Sequence, residues 1–168
     1  MVPEWVGRGF SSEKLEALRN PQTAATWTAS SLVTQSNLAD RQFRLIAKQR
    51  TGQTANVRID YFNKDVDSPQ IQEALRSLGF GFEAKTGKLL TTPTNAVWVG
   101  MAVSDSDAKA VAFTLIRAGT QLQKLARLRH LTGAKARVIQ VGGSAQAAGN
   151  KPLTVQDVES LASIPIEP

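Results

Sequence analysis

Apolar and polar positions in the middle of the chain follow the same order twice, about 40 residues apart. Each copy has a short run of strand formers, then apolar residues at helical spacing, then a glycine and further strand formers. The corresponding positions are Val57 and Val97, Ile59 and Val99, Ile71 and Val111, Leu75 and Leu115, Gly79 and Gly119, and Phe82 and Leu122. The pattern predicts two strand–helix–strand units in one small sheet domain.

The helices of the two copies have recognisable ends. Ser68 and Ser104 stand at N-cap positions, where a serine hydroxyl accepts a hydrogen bond from the first turn of a helix. Gly79 and Gly119 stand at the other ends, where a left-handed residue closes a helix. We therefore expect one helix in each copy, between the serine and the glycine.

Residues 120–130 fit two different structures. Their leucines have helical spacing, which allows a single helix over 105–129. The repeat favours a strand instead, because the first copy turns into strand directly after Gly79. We expect the strand, followed by another strand at 136–141 and a short helix at 154–161.

The N-terminal third differs from the rest of the chain. Apolar residues recur at helical steps over 38–50, and residues 11–19 fit a short helix that ends at Asn20. We interpret residues 1–56 as a helical arm that docks on the domain or on a partner. A partly disordered linker is the alternative.

The order of elements predicts the architecture of residues 57–168. Two adjacent split strand–helix–strand units favour an α+β domain on the ferredoxin-like βαββαβ plan, with an extra C-terminal strand. Both helices then lie on one face of the sheet. The arm covers the other face, or that face is left free to bind a partner.

Charge is unevenly placed along the 168 residues. The formal net charge is +6, and residues 108–155 hold eight Lys or Arg without an Asp or Glu. A field of one sign attracts anions such as an acidic protein surface, nucleic acid or an anionic glycan. A solvated basic face with no dedicated partner is the alternative.

The charge pattern indicates a non-enzymatic binding module with an accessory or regulatory role. The residues that we expect to bind its anionic partner are Arg117, Lys124, Arg127, Arg129 and Arg137. A nucleic-acid-binding protein that stacks bases on its sheet is a second hypothesis. The rings available for stacking are Tyr61, Phe80, Phe82 and Trp98. These rings have an alternative role, which is to fill the core.

Little in the sequence indicates catalysis or metal binding. The chain has no cysteine, which excludes disulfides and thiolate chemistry. His130 is the single histidine and has no partner at a telling spacing, so we interpret it as a surface residue. Asp60, Asp65 and Asp67 would hold Mg²⁺ only if they converged, and we interpret them as strand, turn and capping residues. We expect no enzymatic activity, no metal and no cofactor.

Two further patterns bear on location. No apolar run reaches the roughly 20 residues that span a bilayer. The first ten residues lack the layout of a secretory signal, in which basic residues precede an apolar stretch. As it stands, the sequence indicates a cytoplasmic protein, or an envelope-associated one if a signal or anchor precedes it.

The order of elements also carries a resemblance. A strand, a helix ending in Leu78, Gly79 and Phe80, two further strands, a second helix and the strand at 138–142 resemble the C-terminal domain of LytR-type cell-envelope proteins. The same order is similar to the SPOR peptidoglycan-binding fold, and this resemblance implies a peptidoglycan-binding module. Residues 94–100 and 115–119 also resemble an uncharacterised bacterial accessory domain, which implies a regulatory or sensing role.

Overall fold

A computed structural model of the protein describes residues 28–49, 56–63, 66–86 and 92–167. The helix predicted over 11–19 lies outside these residues, and so does Asp65. In chain order the elements are α1 (Ala29–Gln49), β1 (Arg58–Asn63), α2 (Pro69–Arg76), β2 (Gly81–Thr86), β3 (Ala96–Val99), α3 (Asp105–Arg117), β4 (Lys124–Leu128), β5 (Val138–Gly142), α4 (Val155–Glu159) and β6 (Ile166–Glu167). Short 3₁₀ turns occupy Gly133–Lys135 and Ala147–Gly149.

The six strands form one mixed sheet in the order β2-β1-β5-β3-β4-β6. All neighbouring pairs are parallel except β3 and β5, which are antiparallel. The α+β class is confirmed, but the ferredoxin-like topology is not. In a split unit another strand lies between the two strands that a helix connects. Here β1 pairs directly with β2, and β3 with β4, while β5 joins the two units.

Both copies of the repeat form the predicted strand–helix–strand unit. The two units are antiparallel to each other, and their crossovers run in opposite directions along the sheet. Right-handed crossovers, which the twist of strands favours, therefore place α2 and α3 on the same face.

The strand predicted within 120–130 is confirmed as β4. Helix α3 ends before Gly119, whose φ of 89° is in the left-handed region. The backbone N–H of Thr120 then donates to the carbonyl of Leu115 over 2.9 Å, which closes the helix. This closure rules out the single helix over 105–129.

The N-terminal helix is longer than its apolar pattern predicts. It begins at Ala29, nine residues before the predicted start, because the hydroxyl of Thr28 accepts a hydrogen bond from the backbone of Ser31 over 3.1 Å. It packs against α3 and α4. Ala39 of this helix is fully buried in the same core as the sheet, so α1 is an integral part of the packed structure.

The two faces of the sheet differ in chemistry. The face under the helices is apolar and carries Ile59, Tyr61, Val97, Val99, Ile139 and Val141. The opposite face, on which the described residues place no helix, carries Asp60, Phe62, Trp98 and Gln140. The rings of Phe62 and Trp98 flank Gly142, where a Cβ atom would lie 3.3 Å from Phe62.

Candidate functional site

Arg127 lies in the interior, although the sequence predicts it at a partner-binding surface. Only 9% of the residue is exposed. Its guanidinium donates to the carbonyl of Gly100 over 2.6 Å, to that of Val103 over 2.8 Å and to the carboxylate of Asp105 over 2.9 Å. Arg127 therefore fastens the connection between β3 and α3 and is not available to a partner.

Arg117 and Lys124 are half-buried and paired within the protein. The guanidinium of Arg117 lies 3.4 Å from the carboxylate of Asp40 and 4.3 Å from the ring centre of Phe43, both in α1. Lys124 pairs with Glu167 of β6. Asp40 and Glu167 are distant from these cations in the sequence. The absence of acidic residues around Arg117 and Lys124 in the sequence therefore does not show that both cations are paired.

Arg129 and Arg137 remain exposed, as a partner surface requires. They begin and end the connection from β4 to β5, which we call the basic loop (residues 129–137). Lys135 is also exposed in this loop, and the loop holds no carboxylate. No ion-pair partner for these three cations is found among the residues that the structure describes. Lys135 is a site residue that our sequence reasoning passed over, although it lies in the same acid-free stretch.

The backbone of the basic loop is fixed to the body of the protein. The side chain of Leu131, in the middle of the loop, is 1% exposed and anchors it. The carbonyl of Leu131 accepts from the backbone of Met101 over 3.0 Å, and the carbonyl of Ala136 accepts from Ala102 over 2.9 Å. The loop thus presents its cations from a rigid scaffold.

The charges beside the basic loop cancel one another. Arg58, the first residue of β1, lies beside the end of the basic loop, because its backbone N–H donates to the carbonyl of Arg137 over 3.1 Å. Its guanidinium lies 2.8 Å from Asp60 and 3.8 Å from Glu83. The hydrogen bond to Asp60 and the charge of that carboxylate raise the pKa of Arg58. With Lys85, which lies 3.2 Å from Asp60, this group has two charges of each sign and adds no net charge.

The rings predicted for base stacking are mostly in the core. Tyr61 is 1% exposed and Phe80 6%. Phe82 is half-buried beneath the guanidinium of Arg76, which lies 4.6 Å from its ring centre. Of the four predicted rings, Trp98 alone lies on the face opposite the described helices, where it is half-buried. A stacking surface on this sheet thus lacks Tyr61 and Phe80.

The carboxylates considered for Mg²⁺ serve different hydrogen-bond networks. Asp60 pairs with Arg58 and Lys85 on the face opposite the described helices. Asp67 accepts from the hydroxyl of Tyr61, whose side chain lies on the helix-covered face. Within the described ranges, no group of three or more His, Cys, Asp and Glu side chains could hold a metal ion.

Burial raises the pKa of Tyr61 above its ordinary value of about 10, and the hydrogen bond to Asp67 adds to this effect. Tyr61 is the single tyrosine of the chain, so the ultraviolet absorbance of phenolate reports it alone. We expect no phenolate at pH 10 to 11 in the folded protein, and a midpoint of about 10 in urea. Since the folded-state pKa is the higher one, the stability contributed by Tyr61 is complete below about pH 10 and falls above it.

A Tyr61→Phe variant is the control for this titration, because it lacks the phenol and its stability should depend less on pH above about 10. A folded-state midpoint near 10 in the native protein would show that the hydroxyl is open to solvent.

No protein-family model, curated protein or solved structure matches this chain. The resemblance to LytR-type and SPOR domains therefore stays a prediction. None of the helices in the described ranges is both long enough and apolar enough to cross a bilayer.

Proposed function

We propose that this protein is a non-enzymatic interaction module that binds an acidic protein surface through its basic loop. The observation that carries the proposal is the placement of Arg129, Lys135 and Arg137. All three are exposed on a loop fixed by backbone hydrogen bonds, and none has a carboxylate partner among the described residues. Cations that are free in the unbound protein can meet a partner's carboxylates without first breaking an internal ion pair.

The number of unpaired cations in the basic loop favours a protein partner over nucleic acid. Nucleic-acid binders typically make about 6 to 10 phosphate contacts, and their stacking platforms expose aromatic rings. The basic loop offers three cations, and Tyr61 and Phe80 are buried. Anionic glycan binding, which the resemblance to envelope domains implies, would use the same cations.

The mechanism is electrostatic steering onto a fixed surface. A positive loop speeds the encounter with an acidic patch, and rim charges of this kind contribute more to association rate and orientation than to affinity. Exposed charges are screened within about 10 Å at 0.1 M salt. The proposal therefore implies modest affinity and strong salt dependence.

Charge reversal in the loop tests the proposal. We expect Arg129→Glu/Arg137→Glu to weaken binding to polyglutamate at least about tenfold, because attraction at two sites becomes repulsion. The matched control is Arg41→Glu/Lys151→Glu, which changes the net charge equally at exposed positions outside the loop. Binding is measured by fluorescence anisotropy from low salt to about 0.5 M, where we expect it to vanish.

Four further results would test the mechanism and decide between partners. Equal losses in the loop and control variants would show that net charge acts without a site, and salt-insensitive binding would contradict the electrostatic mechanism. Tighter binding to single-stranded or duplex oligonucleotides than to polyglutamate, at equal salt, would identify a nucleic-acid partner. Retention on peptidoglycan that the loop variant loses would identify a glycan.

A further inference from the structure

One large apolar side chain is exposed beside the basic loop. Met101 follows β3 and is 39% exposed. The other large apolar side chains that are exposed among the described residues lie in α1, just before α2 and in β6. Single exposed apolar residues are common on protein surfaces, so the position of Met101, rather than its exposure, is informative.

Met101 lies between the two limbs of the basic loop. Its backbone N–H donates over 3.0 Å to the carbonyl of Leu131, which comes two residues after Arg129. The next residue, Ala102, donates over 2.9 Å to the carbonyl of Ala136, which lies between the other two cations of the loop. Both hydrogen bonds join backbone atoms, so they fix residue 101 against the loop and its cations.

The first acidic residue after Met101 does not cancel the charge of the loop. The carboxylate of Asp105 lies 2.9 Å from the guanidinium of Arg127, so these two charges offset each other. The surface therefore combines an apolar side chain with exposed cations around it. Protein interfaces have this anatomy, since their centre is apolar, their rim is polar, and Met and Arg are enriched in them.

The apolar contact supplies what the cations alone do not. Exposed rim charges mainly set the rate and orientation of association, whereas buried apolar anchors near the centre of an interface carry most of the affinity. A partner that is only acidic would leave the side chain of Met101 in water. A partner segment with an apolar residue among its acidic ones would cover Met101 and meet the cations at the same time.

The side chains on this surface favour an aromatic residue as the anchor. The thioether of methionine makes favourable contacts with aromatic rings, and the guanidinium of arginine stacks on their faces. Two arginines of this protein already lie over rings, at 4.6 and 4.3 Å from the ring centres, namely Arg76 over Phe82 and Arg117 over Phe43. An aromatic ring on Met101 would have the exposed arginines of the basic loop beside it.

We propose that the segment bound by the basic loop is an acidic peptide with one aromatic residue, and that this residue packs on Met101. The inference rests on the proposed function, because the same cations bring the acidic segment to the surface. It adds the specificity that charge does not provide, since many acidic surfaces lack an aromatic residue.

Two labelled heptapeptides of equal charge test the inference, each with six glutamates and with phenylalanine or alanine at the centre. We expect the phenylalanine peptide to bind at least about fivefold more tightly in fluorescence anisotropy. This ratio should persist from about 0.05 to 0.15 M salt, because salt screens the charges and not the apolar contact. Met101→Ala should reduce the ratio below about twofold and leave the affinity for the alanine peptide within about twofold of the native value.

Two control variants accompany this test. Met101→Leu keeps an apolar side chain and should retain most of the preference for phenylalanine. Val33→Ala shortens a side chain in α1 that is 61% exposed, and it should leave both affinities unchanged. Equal weakening of both peptides by Met101→Ala would show that Met101 supports the loop without contacting the ring, and it would overturn the inference.

The remaining outcomes separate this inference from the proposed function. If the Arg129→Glu/Arg137→Glu variant releases both peptides, but the native protein binds the two equally, the inference alone fails. If neither peptide binds the native protein, or if the loop variant binds the alanine peptide as tightly as before, both proposals fail. A single-stranded oligonucleotide of equal charge that binds more tightly than the phenylalanine peptide would also overturn both.

Discussion

Arg127→Ala is expected to lower the free energy of unfolding by about 3 kcal/mol. The substitution removes three hydrogen bonds at once and leaves the carbonyls of Gly100 and Val103 without this donor in the interior. Asp105 is 40% exposed at its side chain, so water compensates part of its loss. The change is measured as the shift of the urea unfolding midpoint.

The matched control lies two residues along the same chain. Arg129 is exposed and makes no ion pair within the described residues, so Arg129→Ala should change stability by no more than about 0.5 kcal/mol. The two arginines are indistinguishable in a charge count, and their variants should differ severalfold in effect. A loss below about 1 kcal/mol for Arg127→Ala would contradict the interior position of its guanidinium.

Gly100→Ala is expected to destabilise the protein by about 3 kcal/mol. A Cβ atom at this position would lie 2.3 Å from the carbonyl oxygen of Ala136 and 2.7 Å from that of Lys135. Both obstacles are backbone atoms of the basic loop, so no side chain can turn aside to make room. The loop must move, and we expect polyglutamate binding to weaken together with stability.

Gly149→Ala provides the comparison for this substitution. A Cβ atom there would meet nothing within 4 Å, and Gly149 has no positive φ. We expect its free energy of unfolding to stay within about 0.5 kcal/mol of the native value. If Gly100→Ala unfolds at the same denaturant concentration as Gly149→Ala, the close approach of the loop to residue 100 is wrong.

Local pattern predicts the elements of this fold better than their arrangement. Apolar spacing, serine caps and the glycines at 79 and 119 are local signals, and both strand–helix–strand units follow from them. Strand order is set by packing between distant segments. The local sequence of β5 therefore does not predict that this strand lies between the two units. The two-residue strand β6 is too short to have a periodicity.

The first half of α1 illustrates a second limit. Its Ser, Thr and Gln residues give no apolar periodicity, but they are held by contacts with distant segments. The Ser36 hydroxyl donates to the carbonyl of Arg117 over 2.6 Å, and Gln35 accepts from the backbone of Val155 over 2.7 Å. Tertiary packing thus overrides weak helix propensity here.

The positions of the charged residues could be read from the sequence, but which of the cations are exposed and unpaired could not. The acid-free stretch contains the basic loop, but Asp40, Asp105 and Glu167 come from other parts of the chain to pair with three of the expected cations. The environment of Thr120 is harder still to predict. Thr120 follows a helix-closing glycine, as many polar residues do, and only the folded structure leaves its hydroxyl without a partner among the described residues.

The central place of β5 has a consequence for how the chain folds during synthesis. The two βαβ units precede β5 in the sequence, but β1 and β3 have no direct pairing with each other and meet only through it. A nascent chain that has not reached Val138 can therefore form at most two separate half-sheets, each with an open inner edge that invites pairing with a neighbouring chain. Emergence of one five-residue segment from the ribosome converts both aggregation-prone edges into the interior of a single cooperative sheet.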